Sequence, residues 1–136
     1  MYCVANLPQH PFNTFVSGDG NDKCFIWTIR PKTLDDGKDN KYECIKIGEL
    51  EGHNETVEFV KFNFDGKLCV TGGMNNVLRV WQVNDNQNPL TENFSFKLKT
   101  KLENGPSDKD DINFVDWHPK GNAIICGGKD YMIYLL

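Results

Sequence analysis

The sequence predicts an all-β chain built from about three copies of one four-stranded antiparallel unit, and three observations predict it. Residues 17–27, 71–81 and 126–136 align without a gap over eleven columns. Each stretch opens on a small residue and Gly, turns on Asn or Asp in the fifth column, then runs apolar. Upstream of each lies a further pair of short apolar runs joined by a turn signal, which is the signature of antiparallel hairpins rather than of helices. Self-similarity at a fixed interval marks a repeat architecture, in which one unit cannot bury its own faces and must stack on a neighbour.

The first copy reads as strands over 2–6, 14–17 and 23–29, with the turn His10-Pro11-Phe12-Asn13 between the first two. In the second, strands are expected over 57–62, 68–71 and 77–83. Its first turn is Asn63-Phe64-Asp65-Gly66, and Asp-Gly between two apolar runs is a strong hairpin signal. The third repeats the plan over 112–117, 123–126 and 132–136, with the turn His118-Pro119-Lys120-Gly121. A fourth strand follows the first two copies. Over 42–50 the pattern is irregular. Over 94–102, Phe94, Phe96, Leu98 and Leu102 alternate with Ser95, Lys97, Lys99 and Lys101, so one face is expected to pack inward while lysines guard a sheet edge. The units are therefore 1–50, 51–102 and a truncated third over 103–136. Residues 30–41 and 84–93, rich in Asp, Lys, Gly and Asn, read as surface loops.

At 136 residues, 39% hydrophobic and 25% charged, the chain has the composition of a soluble globular protein. Its net charge of -4 argues against binding nucleic acid through phosphate contacts. The five cysteines are odd in number and lack C-x-x-C spacing, so free, mostly buried thiols are expected rather than disulfides or a metal site. Residues 1–8 are not the apolar core of a secretory leader, and no run approaches the ~20 residues of a membrane span. A cytoplasmic protein, also present in the nucleus, is the expectation.

No phosphate loop, HExxH, GxSxG or dinucleotide fingerprint is present, so no enzyme activity and no cofactor are expected. Gly18, Gly20, Gly72, Gly73, Gly127 and Gly128 read as turn residues, since no helix follows them to cradle a phosphate.

The second copy carries Gly52-His53 before its first strand and Trp81 at the end of its third, and this pattern resembles the WD-repeat β-propeller family. The resemblance implies a hydrogen-bonded chain of a buried His, a Ser or Thr, an acidic residue and the Trp. His53, Thr71 and Trp81 match it, Asn75 stands in the acidic column, and Trp27 is the corresponding residue of the first copy. Gln82 and Thr28 replace the Asp of the Trp-Asp pair, and the third copy has neither Gly-His nor a strand-ending Trp. Propellers close with ~4–8 blades. The fold expected is thus a partial propeller whose ring is not closed by this chain alone, needing further blades or self-association.

The resemblance also implies binding through one rim, formed by the loops entering each blade and by the turns between second and third strands. There the entering loops carry Glu49, Glu51, Glu55 and Glu58, then Asp108, Asp110 and Asp111, bordered by Asp19, Met74 and Lys129. Glu55, Met74, Asp110, Asp111, Asp19 and Lys129 are the candidate partner-binding residues, and a Lys/Arg-rich protein segment is the expected partner. Within the family, the sequence is similar to a subfamily whose fungal member is a chaperone for one basic large-subunit ribosomal protein. The alternative implied is a general WD-repeat scaffold in signalling, migration or ubiquitin-ligase complexes.

Overall fold

A computed structural model describes residues 3–7, 14–32, 37, 41–74, 77–84, 95–102, 112–128 and 133–135. Among them there is no helix and there are three antiparallel sheets, each with its strands in chain order. The first holds β1 (Cys3–Asn6), β2 (Thr14–Gly18), β3 (Cys24–Pro31) and β4 (Tyr42–Leu50). β5 (Val57–Phe62), β6 (Leu68–Gly73), β7 (Leu78–Asn84) and β8 (Ser95–Leu102) form the second. β9 (Ile112–Trp117), β10 (Ile124–Gly128) and β11 (Ile133–Leu135) form the third. The all-β, four-stranded antiparallel plan expected from the sequence is the plan observed, and these sheets do not close a ring.

The turn from β5 to β6 shows how the sequence sets a hairpin. Asn63 Oδ1 accepts from Leu68 N at 2.9 Å, Asp65 Oδ1 accepts from Lys67 N at 2.9 Å, and Gly66 takes the positive φ of 71° that closes the turn. Asn63 Nδ2 then donates to Asn122 Oδ1 at 3.0 Å, tying this turn to the β9–β10 turn of the next sheet.

Each sheet has a front, the face bearing the strand-ending tryptophan column, and a back. The front of the second sheet (Val60, Cys69, Trp81, Val83) packs on the back of the first (Val16, Cys24, Ile26, Leu50). The back of the second (Leu68, Val70, Leu78, Val80) packs on the front of the third (Ile112, Val115, Trp117, Ile124, Cys126). Among the described residues there is accordingly no single core but two seams, and β6 is buried at every residue because each of its faces lies in one. Trp117 also donates its indole N–H to the Lys61 carbonyl at 3.0 Å across the second seam.

Three expectations are corrected. Gly18, Gly72, Gly73, Gly127 and Gly128 lie in strands, not turns, and among the described residues the glycines with positive φ are Gly37, Gly52 and Gly66. The role of Gly18 and Gly73 is room: a Cβ on Gly73 would sit 1.8 Å from the Thr56 carbonyl oxygen, and one on Gly18 2.9 Å from that of Val57. Secondly, the alternation in β8 does not hold. A β-bulge between Val80 and Trp81 interrupts the ladder, and Leu98 is exposed alongside Lys97, Lys99 and Lys101. Phe96 alone is seen to turn inward, with its ring 6.1 Å from that of Phe62. The equivalent bulge, between Ile26 and Trp27, breaks the β3–β4 ladder. Thirdly, the 30–41 insertion begins as sheet: β3 runs to Pro31, β4 starts at Tyr42, and Lys32 N donates to Lys41 O at 2.9 Å. Phe94 and most of the 84–93 insertion lie outside the described residues.

Three of the five free cysteines, Cys24, Cys69 and Cys126, are buried in the seams, while Cys44 is exposed. Burial pushes the Cys24 thiol up to about 12 and also raises that of Cys69 well above its ordinary value, so both stay protonated and act as small hydrophobes. No helix among the described residues is long and apolar enough to cross a membrane.

Candidate functional site

Two features sit at the edge where chain enters the second sheet: a buried polar chain behind it and an acidic rim above it. The polar chain begins at Gly52, whose φ of 119° favours glycine and turns its carbonyl toward Arg79. Arg79 reaches back from β7, donating from one guanidinium nitrogen to Gly52 O and facing His53 Nδ1 with the other at 3.3 Å. His53 Nε2 lies 2.6 Å from Thr71 Oγ1, and Trp81 Nε1 donates to the same oxygen at 2.8 Å. All four side chains are buried.

The guanidinium has donors only, so His53 Nδ1 must accept and the ring proton must sit on Nε2, donating to Thr71. Protonating Nδ1 as well would set a cation against Arg79. Burial first, and the Arg79 charge second, hold the His53 pKa down to about 4. His53 is therefore a neutral strut with both nitrogens engaged, which is no use as a general base near neutrality. The structure brings His53, Thr71 and Trp81 together, and it adds Arg79, which the sequence reading missed. Its signal was present, a lone charge inside the apolar run Leu78-Arg79-Val80-Trp81. Asn75, placed by the sequence in the acidic column, lies outside the described residues. In the first sheet the corresponding bond is simpler: Trp27 Nε1 donates to Ser17 Oγ at 2.8 Å.

Above this chain three loop segments meet. Val57 N donates to Asp19 O at 3.0 Å and Met74 N to Thr56 O at 3.3 Å. The β2–β3 turn, the 51–56 loop and the β6–β7 turn thus share one edge, the close approach of Thr56 being possible because residue 73 is glycine. Glu51 and Glu55 are exposed on this edge, with Met74 at 48% exposure beside them. A hollow of about 200 Å³ opens next to them, lined by Asp22, Lys23, Glu49, Glu51 and His53 among others.

The carboxylates expected here are not equivalent. Asp19 Oδ1 accepts from Asn21 N at 2.9 Å and Lys23 N at 3.2 Å, so it holds its own turn. Glu49 pairs with Lys46 at 2.8 Å and Lys23 at 3.8 Å, and the Lys46 hydrogen bond leads the causes that lower its pKa. For Glu51 and Glu55 no ion pair is seen among the described residues. Asp110, Asp111 and Lys129, the remaining expected rim residues, lie outside the described residues. Among those described, no group of three or more His, Cys, Asp or Glu side chains could hold a metal ion.

The chain is similar to known proteins over most of its length. The angio-associated migratory cell protein of Homo sapiens is 30% identical over 131 residues, 96% of this chain and 24% of that protein. The Canis lupus familiaris protein of the same name gives 30% over the same length, 23% of its own. The small ribosomal subunit protein RACK1 of Dictyostelium discoideum is 26% identical over 81 residues, 59% of this chain and 22% of that protein. The chain thus spans about a quarter of the length of the curated relatives it matches. The matching repeats cover residues 43–82 and 97–135, each running from the last strand of one sheet through the first three of the next. Each sequence repeat therefore staples two sheets, and in the first of them Gly52-His53 and Trp81 flank a seam. With more than half of its residues in two such repeats, the chain belongs to the WD domain, G-beta repeat family.

Proposed function

We propose that the chain is a non-catalytic protein-binding scaffold whose acidic rim captures a Lys/Arg-rich segment of a partner protein. The observation that carries this reading is the edge where Glu51 and Glu55 stand exposed beside Met74, on loops fixed by backbone bonds rather than by their own carboxylates. Convergent negative charge speeds the encounter with a basic segment, and a Met side chain adapts to its aliphatic stems. Asp22 and Glu51 on the neighbouring hollow extend the same potential.

The finer reading is chaperone-type capture of a basic large-subunit ribosomal protein during ribosome assembly, in the cytoplasm and the nucleus. It rests on the acidic rim and on the resemblance, read from the sequence, to a subfamily whose fungal member is a chaperone of that kind. A general scaffold role shares the same rim and differs only in the partner.

Binding of a fluorescein-labelled Lys/Arg-rich peptide, followed by anisotropy at low and high salt, tests the reading. Affinity is expected to fall about tenfold or more in Glu51→Lys with Glu55→Lys, and the salt dependence to flatten. Unchanged affinity at low salt in that variant would remove the acidic rim from the account. Recovery of a free large-subunit ribosomal protein with the tagged chain, against recovery of signalling or ligase components, decides between chaperone and general scaffold.

A further inference from the structure

The strand plan does not call for an arginine at position 79. Its column pairs Thr71 with Arg79 in the second sheet, Ser17 with Phe25 in the first and Cys126 with Tyr134 in the third. An aromatic residue thus stands in both other sheets where the second holds a guanidinium that is 7% exposed. Burying a charge is costly unless its donors are engaged. Two of the groups that engage this one belong to the loop entering the second sheet: the Gly52 carbonyl and, at 3.3 Å, His53 Nδ1. Gly52 is exposed, so water could satisfy its carbonyl at no such cost. What the buried cation adds is a fixed position for the loop.

The loop is clamped at two carbonyls. Arg79 holds that of Gly52 from beneath, close enough that a Cβ on residue 52 would lie 3.3 Å from Arg79 Nε. Met74 N holds that of Thr56, and Val57 N is tied in turn to Asp19 O. Glu51 precedes the first clamped residue and Glu55 the second, so each exposed carboxylate is borne one residue from an anchored carbonyl. A loop ordered in advance spares its partner the cost of ordering it. Charge acts the other way, because a cation beneath the rim weakens its pull on a basic segment. Position and charge therefore predict opposite results for removing Arg79.

Resting on the reading of this rim as a capture site for a basic segment, we propose that Arg79 is a positioning residue of that site. It clamps Gly52 and His53 from inside the seam and so holds Glu51 in place for the incoming chain.

The test uses the same labelled Lys/Arg-rich peptide at low salt, at a temperature where circular dichroism shows each variant folded. Arg79→Met removes clamp and charge together, and is expected to weaken binding about fivefold or more although it leaves the rim more negative. Arg79→Lys keeps the charge but not the two-pronged fork, and is expected in between. Val83→Ala, which trims the same seam at the far end of β7, is expected to lower the melting temperature and leave affinity unchanged. Equal or tighter binding by Arg79→Met overturns the inference, as does a fall of the same size in Val83→Ala. If Glu51→Lys with Glu55→Lys still loses affinity in that case, the rim reading stands without Arg79. No binding by the unaltered chain removes both. Should Arg79→Met lose its β spectrum, Arg79→Lys decides: weaker binding at full charge supports the inference, and unchanged binding overturns it.

Discussion

The first and second sheets share a plan down to the bulge that precedes the tryptophan of their third strands, yet they are not equally finished. The second lies between two neighbours: β6 is buried throughout, and Trp81 ends a chain of hydrogen bonds running through Thr71 and His53 to Arg79 and Gly52. Among the described residues the first has one neighbour. Its β3 alternates between buried and half-buried residues, and Trp27 keeps only its bond to Ser17 while stacking near Phe15 at 6.5 Å and edge-on to Phe25 at 6.0 Å. What separates them is cover, not column content. A strand-ending tryptophan is a core residue only when the sheet before it is present, so its energetic weight is a property of the seam.

Truncating each tryptophan turns that statement into numbers. Trp81→Ala is expected to lower stability by ~3–5 kcal/mol, the range for emptying a buried aromatic site. Trp27→Ala should cost about 1–2 kcal/mol, since its ring is only half-buried. Urea unfolding of both variants at one dilute concentration measures the gap, and equal losses would show that the open face is no weaker than the seam.

Acid should act on the second sheet through His53. Its pKa is held down to about 4 in the fold against about 6.5 in the unfolded chain, so between these values the unfolded chain binds a proton that the folded one refuses. Stability is therefore complete above about pH 6.5 and falls as pH drops toward 4, by ~1.4 kcal/mol per unit and about 3 kcal/mol in all. His53→Gln removes this proton. Its melting temperature at pH 7 is expected to start lower and to change less between pH 7 and pH 4.5. Parallel curves for the variant and the unaltered chain would mean that other groups carry the acid response.

The strand plan was legible because turns and apolar runs are local. Asn63 to Gly66 writes its hairpin in four residues, and β9 follows from the run Ile112 to Trp117. The site was legible in part. His53, Thr71 and Trp81 were readable from spacing, because a repeat puts them at fixed offsets. Arg79 was not, because its partners are 26 and 27 residues away and only the fold brings the Gly52 carbonyl and His53 within reach. Period-two reading failed at β8 since a single bulge shifts one residue out of step, and bulges leave no local composition cue. The engagement of Asp19 and Glu49 was not legible for a related reason. Sequence shows that a loop is acidic but not that Asp19 is spent on its own turn or Glu49 on Lys46.

The finest distinction between the two sheets lies in one hydroxyl. Thr71 Oγ1 accepts from both the His53 ring and the Trp81 indole inside a closed seam, whereas Ser17 Oγ accepts from the Trp27 indole beside an open face. Removing an acceptor leaves a donor unpaired, and the penalty is charged in full only where water cannot take its place. Thr71→Val, which keeps the shape of the side chain, is expected to cost about 2 kcal/mol. Ser17→Ala should cost about 0.5–1 kcal/mol, because water at the half-buried Trp27 can accept the indole N–H instead. Urea midpoints for the two variants test the difference.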